Sequence, residues 1–176
     1  SIYALLLPEN AGNSNDNSNE KGEIICNNTI KDISKDVNIL SPEFALNSNI
    51  TMYVDNKKVD NCRSYKFKDE GKHEIRYEVK NGINMDYMFK GIDSLISVEM
   101  KSDNNIQVKS LISAFDNCVN LQSFSISGFN IENIKSMKKL FYNTKLTKID
   151  LSKLNTEKIE DMSEMFSDCP SLTSLD

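Results

Sequence analysis

The side chains that could carry acid–base or metal chemistry are few in this sequence. The chain has one histidine, His73, which lies in a predicted turn beside Glu74. A single histidine supplies neither a metal cluster nor a catalytic triad, and the sequence shows no nucleophile elbow. The carboxylate pairs Asp69-Glu70 and Glu160-Asp161 fall in predicted loops and caps, where solvation accounts for them. We therefore predict that the protein is not an enzyme and takes no metal or cofactor.

Charge and composition exclude further classes of partner. The 176 residues carry a formal net charge of −5, and no basic stripe indicates a nucleic acid or an anionic membrane surface. The six glycines are scattered, so no glycine-rich phosphate loop is present. The apolar run at the N-terminus is too short to span a bilayer as a helix, so we predict no membrane span.

The four cysteines divide into two pairs by position. Cys118 and Cys169 each follow a repeated phenylalanine by three residues, where other copies of the repeat have isoleucine and threonine. Such a position is typical of a small buried packing site. Cys26 and Cys62 flank strand-like segments, and no C-x-x-C motif or Cys/His cluster competes for them. We predict a disulfide between Cys26 and Cys62.

Two N-glycosylation acceptor motifs lie in the same region as this cysteine pair. They begin at Asn27, in Asn-Asn-Thr, and at Asn49, in Asn-Ile-Thr. Together with a disulfide they predict a secreted glycoprotein carrying an N-linked glycan, located outside the cell or on its surface.

Residues 84–176 contain four copies of one sequence unit. The repeated phenylalanines step by 26, 26 and 25 residues. They are Phe89, Phe115, Phe141 and Phe166. Repeats of this period predict a solenoid, in which each unit buries its apolar face against its neighbours. The four phenylalanines are the predicted repeat core.

Each unit begins with a residue that can cap a helix and ends in a strand-like pattern. The four units start at Asn84, Ser110, Ser136 and Asp161, and we call them units 1 to 4. An apolar i, i+3, i+4 stripe follows each cap, which predicts one or two helical turns. The pattern L-x-x-Φ-x-Φ then predicts a short strand, as in Leu95-Val98-Met100, that pairs in parallel with the next unit.

The segment that runs from the end of unit 3 through unit 4, residues 146–176, carries a family resemblance. The segment "LTKIDLSKLNTEKIEDMSEMFSDCPSLTSLD" resembles the repeat of the BspA-like leucine-rich repeat surface proteins, M-S-x-M-F-x-x-C-x-x-L-x-x-L-D-L-S-x-F-N-T. Unit 1 departs from it, with Ile92 in place of the cysteine. The resemblance implies an α/β leucine-rich-repeat solenoid over residues 84–176 and a binding or adhesion role at a cell surface.

The preceding segment, residues 22–83, has β signals throughout. "HEIRYEVKNG" places Ile75, Tyr77 and Val79 on one face, and "NITMYVDNKKVD" predicts a hairpin that turns at Asp55-Asn56. We predict a small all-β sandwich, immunoglobulin-like, that packs on unit 1 as its cap. Ending at Asp176 cuts the fourth strand, so we expect the repeat array to be incomplete at this end.

Residues 1–21 combine an apolar run with a polar low-complexity tract. An apolar strand on a polar tether can add to an open sheet edge, in the same molecule or in a neighbour. A loose tail or the remainder of a signal peptide are the alternatives. The predicted assembly arm consists of Ile2, Tyr3, Leu5, Leu6 and Leu7.

These features predict a non-catalytic extracellular structural protein. An apolar arm at one end and an uncapped repeat at the other favour head-to-tail self-association into a surface filament or array. The alternative is a cell-surface adhesin or receptor that binds a host or matrix ligand through its repeats. The predicted outward strand positions are small, polar or charged, with no aromatic side chain to mark a ligand groove.

Overall fold

A computed structural model describes residues 19–175 of the chain. The predicted assembly arm and almost all of the polar tract lie outside the described residues. The strands are β1 (Lys21–Ile30), β2 (Val37–Asn38), β3 (Ile50–Val54), β4 (Lys57–Val59), β5 (Ser64–Tyr65), β6 (Gly71–Lys80), β7 (Ile83–Asn84), β8 (Leu95–Ser110), β9 (Ser123–Asn130), β10 (Lys148–Ile149) and β11 (Ser174–Leu175).

One mixed sheet of seven strands organises the molecule. Its order is β4-β3-β6-β1-β8-β7, and β9 pairs with β8. The pairing is antiparallel from β4 to β8, whereas β8 pairs in parallel with β9 and with β7. Two small sheets, β2-β5 and β10-β11, stand beside it.

The predicted fold class is wrong. Residues 19–175 contain no helix, and most of the regular structure is strand in mixed sheets. An α/β leucine-rich-repeat solenoid with a helix in each unit is therefore excluded. The absence of helices also means that no described helix is long and apolar enough to cross a membrane.

Left-handed backbone conformations prevent helix formation in the repeats. In each unit two residues, the third and seventh after the starting residue, have φ between 53° and 74°. A right-handed helix cannot continue through such residues. The first of them are Tyr87, Ser113, Lys139 and Glu164, and the second are Gly91, Asn117, Asn143 and Asp168. The apolar stripe therefore lies on consecutive tight turns, which are closed by bonds such as Met88 N–H to Met85 O at 3.1 Å.

The strands of residues 22–83 follow the alternation in their sequence. In β6, Ile75, Tyr77 and Val79 are completely buried, as the pattern predicts. Asp55 and Asn56 have φ of 48° and 65° and connect β3 to β4 in the predicted tight turn.

The predicted sandwich is joined to the repeats through the main sheet. β1 pairs with β8, so the strands β4, β3, β6 and β1 form one sheet with the first two repeat strands. The sheet therefore crosses the predicted boundary between residues 83 and 84. The boundaries of the predicted domains themselves stay predictions.

A glycine allows β8 and β9 to approach closely where their register shifts. Gly128 has φ +69°, and a Cβ atom there would lie 1.7 Å from the carbonyl oxygen of Ser102. Only glycine fits both conditions. The irregularity falls between Lys101 and Ile106 of β8, where Asn105 has φ 51°.

Candidate interaction surface

The turns of neighbouring units form a polar hydrogen-bonded ladder. Alternate N–H groups close turns within their own unit, and the intervening ones donate to the next unit. The Phe89 N–H, for example, donates to Ala114 O at 2.9 Å, and the Phe115 N–H donates to Leu140 O at 3.0 Å. Each unit thus presents a row of donors on the side facing the following unit and a row of carbonyl acceptors on the other side.

The repeated phenylalanines stack along this ladder. Centroids of neighbouring rings lie 5.4, 5.5 and 5.9 Å apart, with interplanar angles of 8° or less. Phe89, Phe115 and Phe141 are completely buried, whereas Phe166 is half-buried. Offset stacking of this kind adds to the free energy of apolar burial.

The end of the stack at unit 1 is covered. The Tyr77 ring meets Phe89 edge-on with centroids 5.7 Å apart. The Ser41 N–H donates to Met88 O at 2.9 Å, and Lys90 forms an ion pair with Glu43 at 3.1 Å. Residues from the first half of the chain therefore protect part of the carbonyl row and the outer ring face of unit 1.

Unit 4 is the last described unit, and its outward side has no partner among residues 19–175. In units 1 to 3 the equivalent groups have acceptors in the next unit, except the Leu111 N–H, whereas in unit 4 all four have none among residues 19–175. They belong to Met162, Glu164, Phe166 and Asp168, and we call this row the open edge. The Met162 side chain is 46% exposed and Leu175 is 56% exposed. Apart from Val119, these are the described large hydrophobic residues that are exposed.

Carboxylates surround the open edge. The Ser163 hydroxyl and N–H bond the Asp161 carboxyl and hold its pKa below the usual range. Glu164 pairs with Lys139 at 3.4 Å, and hydrogen bonding to Asp168 raises the pKa of the Tyr142 phenol. A row of four N–H donors favours binding of a group that accepts hydrogen bonds. The surrounding carboxylates repel an anionic acceptor, so a neutral carbonyl group matches this edge better.

The predicted helix caps close turns instead. The Asn84, Ser136 and Asp161 side chains each accept the N–H group two residues ahead, at 2.9, 3.2 and 2.9 Å. In unit 2, Asp86 of unit 1 accepts the Ile112 N–H at 2.9 Å. Asn, Ser and Asp are favourable at helix N-caps because their side chains accept hydrogen bonds from nearby backbone N–H groups. The same hydrogen bonds also start turns.

The predicted disulfide is wrong, because the structure holds all four cysteines as free thiols. Cys26 is buried in β1, and burial, with repulsion from Cys118 and Glu74, raises the pKa of its thiol well above the usual value. Burial also raises the pKa of Cys62. Cys26 packs in the core that joins β1 to the repeats. A small apolar side chain suits this position, so Cys26 needs no disulfide partner to account for it.

The two repeat cysteines link neighbouring units. The Cys118 thiol donates to Phe89 O at 3.0 Å, and the Cys169 thiol donates to Phe141 O at 3.0 Å. Burial raises the pKa of Cys118 far above the usual value. This position therefore packs against the preceding unit and also contributes a weak hydrogen bond to it.

The two predicted glycosylation residues lie at exposed positions. The Asn27 amide nitrogen donates to Ser97 Oγ at 2.9 Å, across the pairing of β1 with β8. Asn49 stands just before β3, where its N–H bonds the Asn47 side chain at 2.9 Å. With the disulfide lost, the glycoprotein prediction has no support in the structure and is withdrawn.

The single histidine, His73, lies in β6 and not in the predicted turn, and its ring contacts the two loops beside that strand. His73 Nδ1 lies 2.7 Å from Asp55 Oδ2, and its Nε2 lies 2.9 Å from Asp69 O. Burial opposes the charged form, but the bonds to Asp55 and Asp69 outweigh it and raise the pKa of His73 above the usual value. Within residues 19–175, no group of three His, Cys, Asp or Glu side chains is placed to hold a metal ion.

A broad sheet face was missed by the sequence analysis. β1 lies between β6 and the repeat strand β8, so strands from the first half of the chain and from the repeats share one face. One row of residues that lie opposite each other crosses five strands of this face: Tyr53, Arg76, Ile25, Glu99 and Ser125. The Arg76 guanidinium lies 4.0 Å from the Tyr53 ring centroid. The alternating sequences of β3 and β6 indicate which of their residues face outward. They do not indicate that this face continues onto the repeats, because that depends on the pairing of β1 with β8.

The described residues also form a polar cleft of about 600 Å³ between the segment after β1 and unit 1. Its charged lining is mixed, with Lys31 and Lys35 near Asp32, Asp36 and Asp93. Asp32 is already bonded by Ser34, which lowers the pKa of its carboxyl. The cleft has no convergent set of catalytic groups.

Together these features define a helix-free, β-rich protein whose turns and rings stack from one sequence copy to the next. Residues 56–175 match the family described as "Mycoplasma protein of unknown function, DUF285". This match covers more than half of the chain, so the chain belongs to that family. No curated protein and no solved structure matches it.

Proposed function

We propose that the protein is a non-catalytic structural protein that associates with copies of itself, as a subunit of a surface filament or array. The observation that carries this proposal is the ladder, in which each described unit joins the next through backbone hydrogen bonds and stacked phenylalanine rings. Tyr77 and Ser41 cover unit 1, and in unit 4, the last described unit, four backbone N–H groups have no acceptor among residues 19–175 and the side chains of Met162 and Leu175 are exposed. The extracellular location rests on the family resemblance of the repeat and stays a prediction.

Exposed apolar side chains next to unpaired backbone donors support association. Burying Met162 and Leu175 in a contact would remove apolar surface from water, and filling the donor row would add hydrogen bonds. An edge that faces one way gives a heterologous contact, and heterologous contacts propagate unless they close into a ring. A filament or an array is the kind of assembly that such a contact would give.

Sedimentation velocity over a concentration series tests this proposal. We expect the wild-type sedimentation coefficient to rise with concentration and electron micrographs of the concentrated protein to show fibres or arrays. Met162→Ser should weaken the association, whereas Val119→Ser, a matched change at an exposed site outside unit 4, should leave it intact. A wild-type protein that stays monomeric at every concentration would refute self-association.

A surface receptor is the second candidate, and the sheet face favours it. Tyrosine and arginine are residue types that dominate protein recognition, and Arg76 is held over Tyr53 on the β3–β6 side of that face. A receptor of this kind would appear in electron micrographs as discrete particles and not as fibres. Arg76→Ala should then abolish adhesion of the protein to cells or matrix and leave its sedimentation unchanged, whereas a filament subunit should show the reverse pattern with Met162→Ser.

A further inference from the structure

The sheet face is wide enough to form an interface. Along β1 and β6, Ile24 and Ile75 are buried in the core. Their neighbours Ile25 and Arg76 are half-buried and lie on the sheet face. Six strands about 4.8 Å apart and strands of ten residues at about 3.3 Å each make this face about 25 Å by about 30 Å at its widest. That area approaches the roughly 800 Å² that each partner contributes to a standard protein interface.

The charges on the sheet face alternate across the central strand β1. In the row through Ile25, Arg76 of β6 lies on one side of β1 and Glu99 of β8 lies on the other side. Two residues away along β1 the order is reversed, with Glu78 on the β6 side and Lys101 on the β8 side. Both rows therefore carry opposite charges on the two sides of β1.

The charges of Arg76 and Glu99 are only partly compensated within the described chain. Glu99 is exposed and forms no ion pair with any residue in the range 19–175. Arg76 lies 3.7 Å from a Glu78 oxygen, but the Lys21 ammonium is closer to that oxygen, at 3.1 Å. A partner that suits this face must therefore bring a carboxylate to Arg76 and a cation to Glu99.

We propose that the sheet face packs against the same face of a second copy, about a two-fold axis that runs along β1. Such an axis exchanges the two sides of β1, so Arg76 of each copy meets Glu99 of the other copy and Ile25 meets Ile25. Sheets that pack face to face lie about 10 Å apart with their strands within about 30° of each other. Near the axis the two rows stay aligned at such an angle.

A two-fold axis across the strands suits the face less well. It would place Arg76 against itself or, shifted along the strands, Ile25 against the Glu23 carboxylate. The axis along β1 brings Glu23 onto Glu23 of the other copy, but Lys101 lies directly opposite Glu23 on β8 in each chain and compensates this charge. Removing the Glu23 charge should therefore strengthen the contact.

This contact goes beyond the proposed function. It is isologous and closes at two copies, whereas a contact that continues the ladder is heterologous and propagates. The two contacts use different surfaces of the molecule. A protein that has both would form filaments joined in pairs.

Charge reversal on the full-length chain tests the contact. Arg76→Glu and Glu99→Arg should each weaken dimerisation at least about tenfold, because like charges then meet across the axis. An equimolar mixture of the two variants should dimerise as tightly as the wild type, since opposite charges meet again at both positions. An axis across the strands would give no such recovery. Sedimentation velocity measures the association, and isotope labelling of one variant identifies the mixed dimer by mass.

Lys135→Glu and Glu132→Arg are matched reversals at exposed positions outside the sheet face and should dimerise like the wild type. Near-ultraviolet circular dichroism checks that the core of each variant is unchanged. Glu23→Gln leaves the stacking of Arg76 intact and should tighten dimerisation about two- to fivefold. If a reversal variant fails to fold, this variant decides the matter.

Single reversals that associate like the wild type, a mixture of folded variants that stays monomeric, or a Glu23→Gln variant that associates no more tightly would each overturn the contact. Larger assemblies that the reversals leave unchanged would do the same and leave the proposed function standing. A wild type that forms dimers and nothing larger would contradict the proposed function and support the contact. A wild type that is monomeric at every concentration would overturn both.

Discussion

The phenylalanine that recurs once in each unit is the residue on which the packing of the repeats depends. Phe115 stacks between Phe89 and Phe141 and also meets Phe124 edge-on at 5.3 Å. It is completely buried. Its ring therefore contributes to two junctions of the stack, and its spacing in the sequence was sufficient to predict this.

Replacing Phe115 with alanine should lower the free energy of unfolding by about 3–5 kcal/mol, because it leaves a cavity shared by three units. Urea unfolding of the wild type and the variant measures the loss. Tyr142→Ala, which truncates a more exposed aromatic side chain, is the control and should cost about 1 kcal/mol or less. Equal losses for the two variants would show that Phe115 is not a core residue.

The contacts of His73 make stability depend on pH. Both ring nitrogens lie within hydrogen-bond distance of acceptors, which favours the doubly protonated ring. Because the folded pKa is raised above the unfolded value, this stabilisation is complete below the unfolded pKa, about 6.5, and is lost as pH rises through the folded pKa.

The difference in unfolding free energy between the wild type and His73→Gln should therefore be largest at low pH and shrink toward alkaline pH. Urea unfolding from about pH 5.5 to about pH 8.5 covers the range in which a histidine titrates. Asp55→Asn, which removes the carboxylate partner, should flatten the same dependence. A difference that stays constant over this range would mean that His73 does not change its charge there.

Thiol exposure predicts an order of alkylation. Cys62 and Cys169 are half-buried and should react in the native protein, whereas Cys26 and Cys118 are buried with raised pKa and should react only after unfolding. Peptide mass spectrometry after timed alkylation measures the order. After unfolding without a reductant, we expect all four cysteines to be alkylated. If only Cys118 and Cys169 were alkylated, a disulfide between Cys26 and Cys62 would be present after all.

At the scale of elements, the apolar stripe of each unit was read correctly as buried and incorrectly as helical. Met85, Met88 and Phe89 are completely buried, as the i, i+3, i+4 spacing indicates. Over five residues, however, two consecutive tight turns place side chains at the same spacing. Gly91 and Asn117 at the second left-handed position carried a signal for turns, because these residue types tolerate positive φ. Tyr87 and Lys139 at the first position carried none.

The left-handed turn at Lys139 predicts a specific response to substitution. Lys139→Val should lower the free energy of unfolding by about 1 kcal/mol or more, because a β-branched residue strains at φ 54°. Lys139→Gly should be neutral or stabilising by up to about 1 kcal/mol. Lys138→Val and Lys138→Gly, one residue earlier and without positive φ, are the controls in thermal unfolding. A valine at 139 that is tolerated as well as a valine at 138 would contradict the turn geometry.

At the scale of the whole molecule, the pairing of β1 with β8 has the largest structural consequence. It places the first half of the chain in one sheet with the repeats and lets Tyr77 and Ser41 cover unit 1. The need for such a cover was predictable from the repeats. The pairing itself was not, because it joins residues about 75 positions apart, and local alternation does not specify a partner strand.

Hydrogen exchange at the open edge tests the account most directly. In dilute solution the amides of Met162, Glu164, Phe166 and Asp168 should exchange fast, whereas the equivalent amides of Met137, Lys139, Phe141 and Asn143, which donate to unit 4, should exchange slowly. At assembling concentrations the four amides of the open edge should become protected as well, and Met162→Glu should abolish that change. Amides of the open edge that exchange equally fast at all concentrations, while the protein assembles, would contradict a contact through unit 4.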